Sequence, residues 1–337
     1  MMEYGAGYPP PVVVAAWIAR RRGAGCTGER KIIRAARELP WNVFERTPAA
    51  TMVATQPRDE ERRHQQMAAM SGAGHPLPYD TYREAVARET LRFAEAVRGA
   101  DPASAVPSCP DWTLADLTRH VGALQRWFCT LLTRLDQEPP RSRDVDLGLP
   151  GDPRDLADWV AAGVPDVAAV LRATDPQAAM WTWGEDGHAR FWARRMLFET
   201  LVHRVDAERA VGREPDVDAA LAADGVDEFL VNLPHAGLFA PEVDKLRGDG
   251  EIIAFELTDR GAATGGVWRV RLDPDGFRLL PETDGESAEP GTSTVAVRGQ
   301  AQDLLQLLYG RRSYREPVFE VSGPVGILDR WFARTAF

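Results

Sequence analysis

Four stretches of helical periodicity lie between Tyr79 and Gly212, and one long polar, Pro-rich connection (137–153) separates the second from the third. Amphipathic helices linked in this way bury their apolar faces against one another, which describes a helical bundle. The first stretch, YDTYREAVARETLRFAEAVRG (79–99), sets Tyr82, Val86, Leu91, Phe93 and Val97 near one stripe, and Gly99 can end it. The second opens on Thr113-Leu-Ala-Asp116, a capping box with Asp in the Glu position, and runs to about Leu135. A third is predicted over 156–173 and a fourth over about 190–211, closed by Gly212.

After about residue 216 the pattern changes. A helix is predicted over 217–233. Short alternating segments follow at 252–257, 267–272, 276–280 and 293–299, separated by Gly/Asp turns. A helix over 301–311, a last strand over 318–323 and a C-terminal helix complete the chain. The expected fold class is therefore α plus α+β: a four-helix bundle over 76–215, then a smaller α+β domain over 216–337. Residues 1–75 have Gly/Pro patches, an Arg-rich segment and no sustained period, and are expected to be a disordered extension or to follow a mis-assigned start codon. A chain starting at Ser71 is expected to fold and to keep any activity.

Charge narrows the partners. The net charge is −10, yet residues 1–70 carry 11 Arg plus Lys against 7 Asp plus Glu. An acidic body argues against nucleic-acid binding. No apolar run approaches the ~18 residues of a membrane span. VVVAAWIA (12–19) is short, and its arginines follow it, the wrong order for a secretory signal. Three scattered cysteines, Cys26, Cys109 and Cys129, make neither a disulfide framework nor a Cys-based zinc site. A cytoplasmic protein acting on a small molecule is the expectation.

The histidines carry the chemistry. On a helical wheel that starts at Leu114, Leu117, Leu124 and Trp127 fall at about 300°, 280° and 220°, and His120 falls among them at about 240°. His120 is expected to point into the bundle. In FETLVHRVDAE (198–208), Glu199 and His203 lie roughly 40° apart on one face of the fourth helix. Trp192, Met196, Asp206 and Ala210 share that side. A carboxylate and an imidazole on a partly apolar face are costly unless they pair or bind a metal. His120, Glu199 and His203 could hold zinc or a similar ion with a fourth position open. Spacing alone equally allows a satisfied core histidine and a solvated charged pair.

Two segments resemble a family. VPSCPDWTLADLTRHVGALQRWF (106–128) resembles the first signature of the mycothiol-dependent maleylpyruvate isomerase-like proteins, and RFWARRMLFETLVHRVDAERAVG (190–212) resembles their second. These proteins belong to the DinB-like four-helix metal-binding superfamily. VAVRGQAQDLLQLLYGR (295–311) resembles the sterol-carrier-like α+β domain that follows. The resemblance implies metal ligation by His120, Glu199 and His203, with a divalent metal, zinc first, and mycothiol as the thiol cosubstrate. It implies that Asp206 sits beside the site, orienting an imidazole or pairing with an arginine such as Arg195. The implied reaction is cis–trans isomerisation of maleylpyruvate by thiol addition and elimination. Mycothiol S-transfer to other electrophiles, or a non-catalytic metal- or small-ligand-binding role, are the alternatives. A dicarboxylate substrate calls for arginine, and Arg194, Arg195, Arg311 and Arg312 are candidates. Trp112, Trp127, Trp181, Trp183 and Trp192 read as bundle core or as a pocket mouth. Cys109, between two prolines with no base adjacent in sequence, is not expected to be catalytic, and His188 is expected to be solvated.

Overall fold

The structure is a computed structural model that describes residues 77–140, 144–259, 266–281 and 293–335. The expected extension at 1–75 lies outside the described residues. A helical N-terminal region is followed by a small mixed-sheet domain.

Helix α1 spans Tyr79–Val97. It ends at Gly99, whose φ of 71° suits a residue without a Cβ. Leu91 departs from the expected stripe: it is 51% exposed, while Phe93 and Val97 are buried. Helix α2, Leu114–Arg134, starts on the expected capping box. Thr113 accepts from the Asp116 amide, and the Asp116 carboxylate accepts from the Thr113 amide.

The third predicted helix is two. Helix α3 covers Leu156–Ala162 and α4 covers Val164–Ala173. Pro165 is the cause: it has no N–H to give Ala161, and its ring clashes with that carbonyl, so the first helix stops and a new one starts with proline in its first turn. Helix α5, Ala189–Ala210, runs through the middle of the molecule. It packs mainly on α1 and also on α2. Trp192 to Phe198 are buried without interruption, as are Thr200 to Ala207. A helix buried on all sides has no solvent face, so its polar residues must find partners inside the protein.

The α2–α3 crossing rests on Gly122. A Cβ at Gly122 would overlap the Trp159 ring. That ring cannot step aside, because its indole donates to Leu147 O at 2.9 Å and the Arg126 guanidinium lies 3.9 Å over it. Gly122→Ala is expected to lower stability by about 1–3 kcal/mol through overpacking, despite alanine's better helix propensity. Chemical denaturation checks this, and a stabilised variant would contradict the crossing.

Helix α6, Ala219–Asn232, is capped by the Asp218 carboxylate, which accepts from the Ala220 and Leu221 amides. The sheet has the order β3-β2-β1-β4-β5. Its strands are β1 Ile252–Leu257, β2 Val267–Asp273, β3 Gly276–Leu279, β4 Val295–Gly299 and β5 Glu320–Ser322. Neighbours are antiparallel except β1 with β4, which run parallel in the register Ile253 to Val295 and Leu257 to Gly299. Helix α7, Ala301–Leu308, follows β4 and packs on α6, and α8 covers Gly326–Arg334. One apolar cluster runs from Leu131 and Phe198 in the helices to Phe255 and Trp331 at the sheet. A smaller one joins Phe93, Leu117 and Trp159 to Val106, Cys109 and Ala207, and so pins the 106–112 loop against α5.

Candidate metal centre

His120 on α2 and Glu199 and His203 on α5 converge. His120 Nε2 and His203 Nε2 each lie 3.3 Å from Glu199 Oε1, and the two imidazole centroids are 4.9 Å apart, edge to face. One ligand atom from each residue falls within 4.8 Å of the others. Tetrahedral zinc with N and O ligands at about 2.0–2.1 Å holds neighbouring ligand atoms roughly 3.4 Å apart. The set therefore fits such an ion with little movement. The imidazole side chains are 6% and 11% exposed and the Glu199 side chain 23%, so the group is reached from the carboxylate side.

Asp206 lies behind His203. Its Oδ2 is 2.9 Å from His203 Nδ1, which leaves Nε2 to face Glu199. Arg311, just past α7, pairs with Asp206 through Nη2 at 2.7 Å and Nε at 3.0 Å. Ser108 Oγ donates to Asp206 Oδ1 at 2.6 Å. The Arg195 pairing considered for Asp206 is not made. Arg195 turns instead to Glu199 and Glu228. His120 Nδ1, by contrast, is buried with no hydrogen-bond partner.

The buried charges of the cluster are coupled. Among the described residues the cluster has three carboxylates, Glu199, Asp206 and Glu228, and two guanidiniums, Arg195 and Arg311. The third carboxylate needs a further positive partner at this depth, an imidazolium or a bound cation. Burial acts against a charge on His203, but hydrogen bonds to Asp206, Cys109 and Glu199 hold its pKa well above the usual value. Burial pushes His120 down, with the Glu199 hydrogen bond opposing. Against burial, hydrogen bonds from His120 and His203 and the charge of Arg195 hold Glu199 well below the usual carboxylate range. A divalent ion would take the place of the His203 charge and leave both imidazoles neutral, as ligation requires.

The loop before α2 adds residues that the sequence did not place here. Val106 and Trp112 close it, with Val106 N donating to Trp112 O at 2.9 Å, and Asp111 takes a left-handed φ of 70°. That turn brings the Trp112 ring 5.1 Å from His120 and 6.2 Å from His203. It also brings Cys109 Sγ to 3.5 Å from Asp206 Oδ2 and 3.8 Å from Arg311 Nη2. Cys109, His203 and Asp206 form a second group with metal-ligand spacing. The Pro-x-Cys-Pro-x-Trp spacing was visible in the sequence, but only the fold shows where it lands. Trp127, Trp181 and Trp192 pack on each other at 5.4–6.2 Å as core, and Trp183 packs on Phe191 and Phe239. His188 pairs with Asp186 at 2.6 Å and is 40% exposed.

None of the four candidate arginines is without a carboxylate. Arg194 pairs with Asp224 and Asp227, Arg195 with Glu199 and Glu228, Arg311 with Asp206, and Arg312 with Asp303 and Glu316. The other described cysteine, Cys129, lies away from this cluster. Burial, with Asp166 nearby, pushes its thiol up to about 12, so it stays protonated at ordinary pH. Alkylation of the native protein with iodoacetamide at pH 8, mapped by mass spectrometry, is expected to leave Cys129 unmodified. Rapid labelling would contradict that packing.

Fold and cluster together define a helical region that carries a largely buried imidazole–carboxylate group, followed by a small mixed-sheet domain from which Arg311 reaches Asp206. The family model described as mycothiol maleylpyruvate isomerase N-terminal domain matches residues 83–208, and that described as MDMPI C-terminal domain matches 220–330. The chain belongs to the mycothiol maleylpyruvate isomerase family. A crystal structure of the mycothiol-dependent maleylpyruvate isomerase is similar at 17% identity and a TM-score of 0.48, over 74% of this chain and 94% of that one. A histidine-to-alanine mutant of that enzyme gives 15% identity and 0.49 over the same shares. No curated protein matches the chain. Among the described residues no helix is long and apolar enough to cross a membrane.

Proposed function

We propose that this protein is an enzyme that binds a divalent metal, zinc first, through His120, Glu199 and His203 and uses it to activate mycothiol. The observation that carries the reading is the convergence of both Nε2 atoms on Glu199 Oε1. Membership of the family supports the choice of thiol. A bound divalent ion would stabilise a coordinating thiol as its thiolate. Asp206 beside Nδ1 would hold a neutral His203 in the tautomer that offers Nε2 to the ion, and the Trp112 ring packs beside both imidazoles. In the isomerase reading the mycothiol thiolate adds to the cis double bond of maleylpyruvate. The carbon–carbon bond, now single, rotates, and loss of the thiolate leaves the trans product.

One observation favours a second reading. Each arginine that could clamp a substrate's carboxylates is engaged with a protein carboxylate. Transfer of mycothiol to an electrophile without two carboxylates would make no such demand. The work is expected to take place in the cytoplasm, where the thiol stays reduced.

The test has two stages. Purified protein is dialysed against zinc and its metal content measured. Less than one equivalent in wild type would sink the metal reading. The loaded protein is then incubated with mycothiol and maleylpyruvate and followed by absorbance. Turnover supports the isomerase. Metal and thiol binding without turnover moves the assignment to S-transfer or to binding alone.

A further inference from the structure

Glu199 Oε2, the oxygen turned away from the imidazoles, accepts from Arg195 Nη2 at 2.7 Å. The other terminal nitrogen of that guanidinium is held from the second domain. Arg195 Nη1 lies 2.9 and 2.8 Å from the two oxygens of Glu228 on α6, and 2.9 Å from the hydroxyl of Tyr309, just past α7. Tyr309 in turn donates to Glu228 Oε2 at 3.3 Å, and the Asn232 amide donates to Glu228 Oε1 at 3.3 Å. Arg195, Glu228 and Tyr309 are all buried.

A buried ion pair of this kind is often no more stabilising than apolar packing of the same volume. What it does supply is geometry. A guanidinium and a carboxylate one helical turn apart favour a bidentate pair, with two parallel N–H···O bonds. A bidentate Arg195 would occupy both oxygens of Glu199 and compete with an ion for Oε1. Glu228 and Tyr309 remove the end-on form by engaging Nη1, and Arg195 meets Glu199 through Nη2 and Oε2.

We infer that Glu228 and Tyr309 are positioning residues that clamp Arg195 so that Glu199 presents Oε1 to the ion held by His120 and His203. The inference rests on the metal reading above. Neither residue touches the ion. The second domain thereby tunes an affinity whose ligands all belong to the first.

The test uses the full chain and two readouts, zinc affinity by chelator competition and the visible spectrum of the cobalt(II)-loaded protein. Glu228→Gln is expected to bind zinc ~10–100-fold more weakly, the usual size for losing a group that orients a ligand. Its cobalt bands are expected to shift as Arg195 swings onto both oxygens. Tyr309→Phe keeps the ring and removes the hydroxyl, and is expected to weaken binding in the same direction by a smaller factor. Asp227→Asn is the comparator. It loosens the neighbouring Arg194 pair between the same two helices without touching Arg195, and is expected to keep wild-type affinity and spectrum. Wild-type binding by both Glu228→Gln and Tyr309→Phe overturns the inference, as does an equal loss in Asp227→Asn, which would mark a general effect of loosened packing. A wild type that binds no zinc sinks the metal reading instead, and the inference with it.

Discussion

On the metal reading, Glu199→Ala is expected to lower zinc affinity by two to three powers of ten. Structural zinc binding is worth about 10–16 kcal/mol over four ligands, so each ligand carries roughly 3 kcal/mol. Glu199 is a severe case because Oε1 meets both imidazoles and Oε2 receives Arg195. Its removal leaves two neutral donors beside an arginine that has lost a partner, and the local field then repels a cation. His120→Ala and His203→Ala are expected to abolish stoichiometric metal in the same way. Cys109→Ser is expected to retain it, although Cys109 Sγ lies beside Asp206 and Arg311. Metal analysis of the four dialysed variants checks the set. Loss in Cys109→Ser with retention in His120→Ala would transfer the site to the neighbouring Cys109, His203 and Asp206 group.

The second large effect is on stability. Arg204, fully buried in α5, donates through Nε to Glu89 Oε2 at 2.6 Å, and also bonds Glu208 and the Asp216 carbonyl. Arg204→Met is expected to destabilise the protein by about 3 kcal/mol, because it strands the buried Glu89 carboxylate between elements that cannot open to water. Arg88 and Arg92 still approach Glu89 at 3.4 and 3.6 Å, which holds the loss near the lower end of the range for broken buried pairs. The thermal midpoint should fall by roughly 6–12 °C, at 2–4 °C per kcal/mol. Arg98→Met, at an exposed pair with Asp158 and Glu95, should leave the midpoint where it is. Equal midpoints for the two variants would mean that burial of Arg204 is not what makes it matter.

How much of this could be read in the sequence differs between elements. The capping box at Thr113 and Asp116 and the inward turn of His120 depend on local rules, and both are present in the structure. The break at Pro165 is equally local but is masked in the pattern, because apolar residues continue across it. Helix α5 was hardest to read. With no solvent face, its wheel shows no contrast between a functional side and a structural one. Arg194, Arg195 and Arg204 look like surface charges in the sequence and are buried in the structure. Their partners Asp224, Glu228 and Glu89 lie 30 or more positions away, beyond any periodicity. Leu91 is exposed for a similar reason: a stripe fixes an apolar direction but not how far the neighbouring helix covers it.

The reach of Arg311 sets an order of events. It meets Asp206 across 105 positions and Cys109 across 202. Contacts this distant in sequence form late, after the loops between them have closed, and the N-terminal part of a chain folds first during synthesis. The helices that carry His120, Glu199 and His203 can therefore pack while the bracing of Asp206 and Arg195 is still to be translated. A ribosome has to pass residue 311 before the centre is complete. On the metal reading, a nascent chain short of that point would lack this bracing, and the last third of the protein would complete a site whose proposed donors lie in the first two.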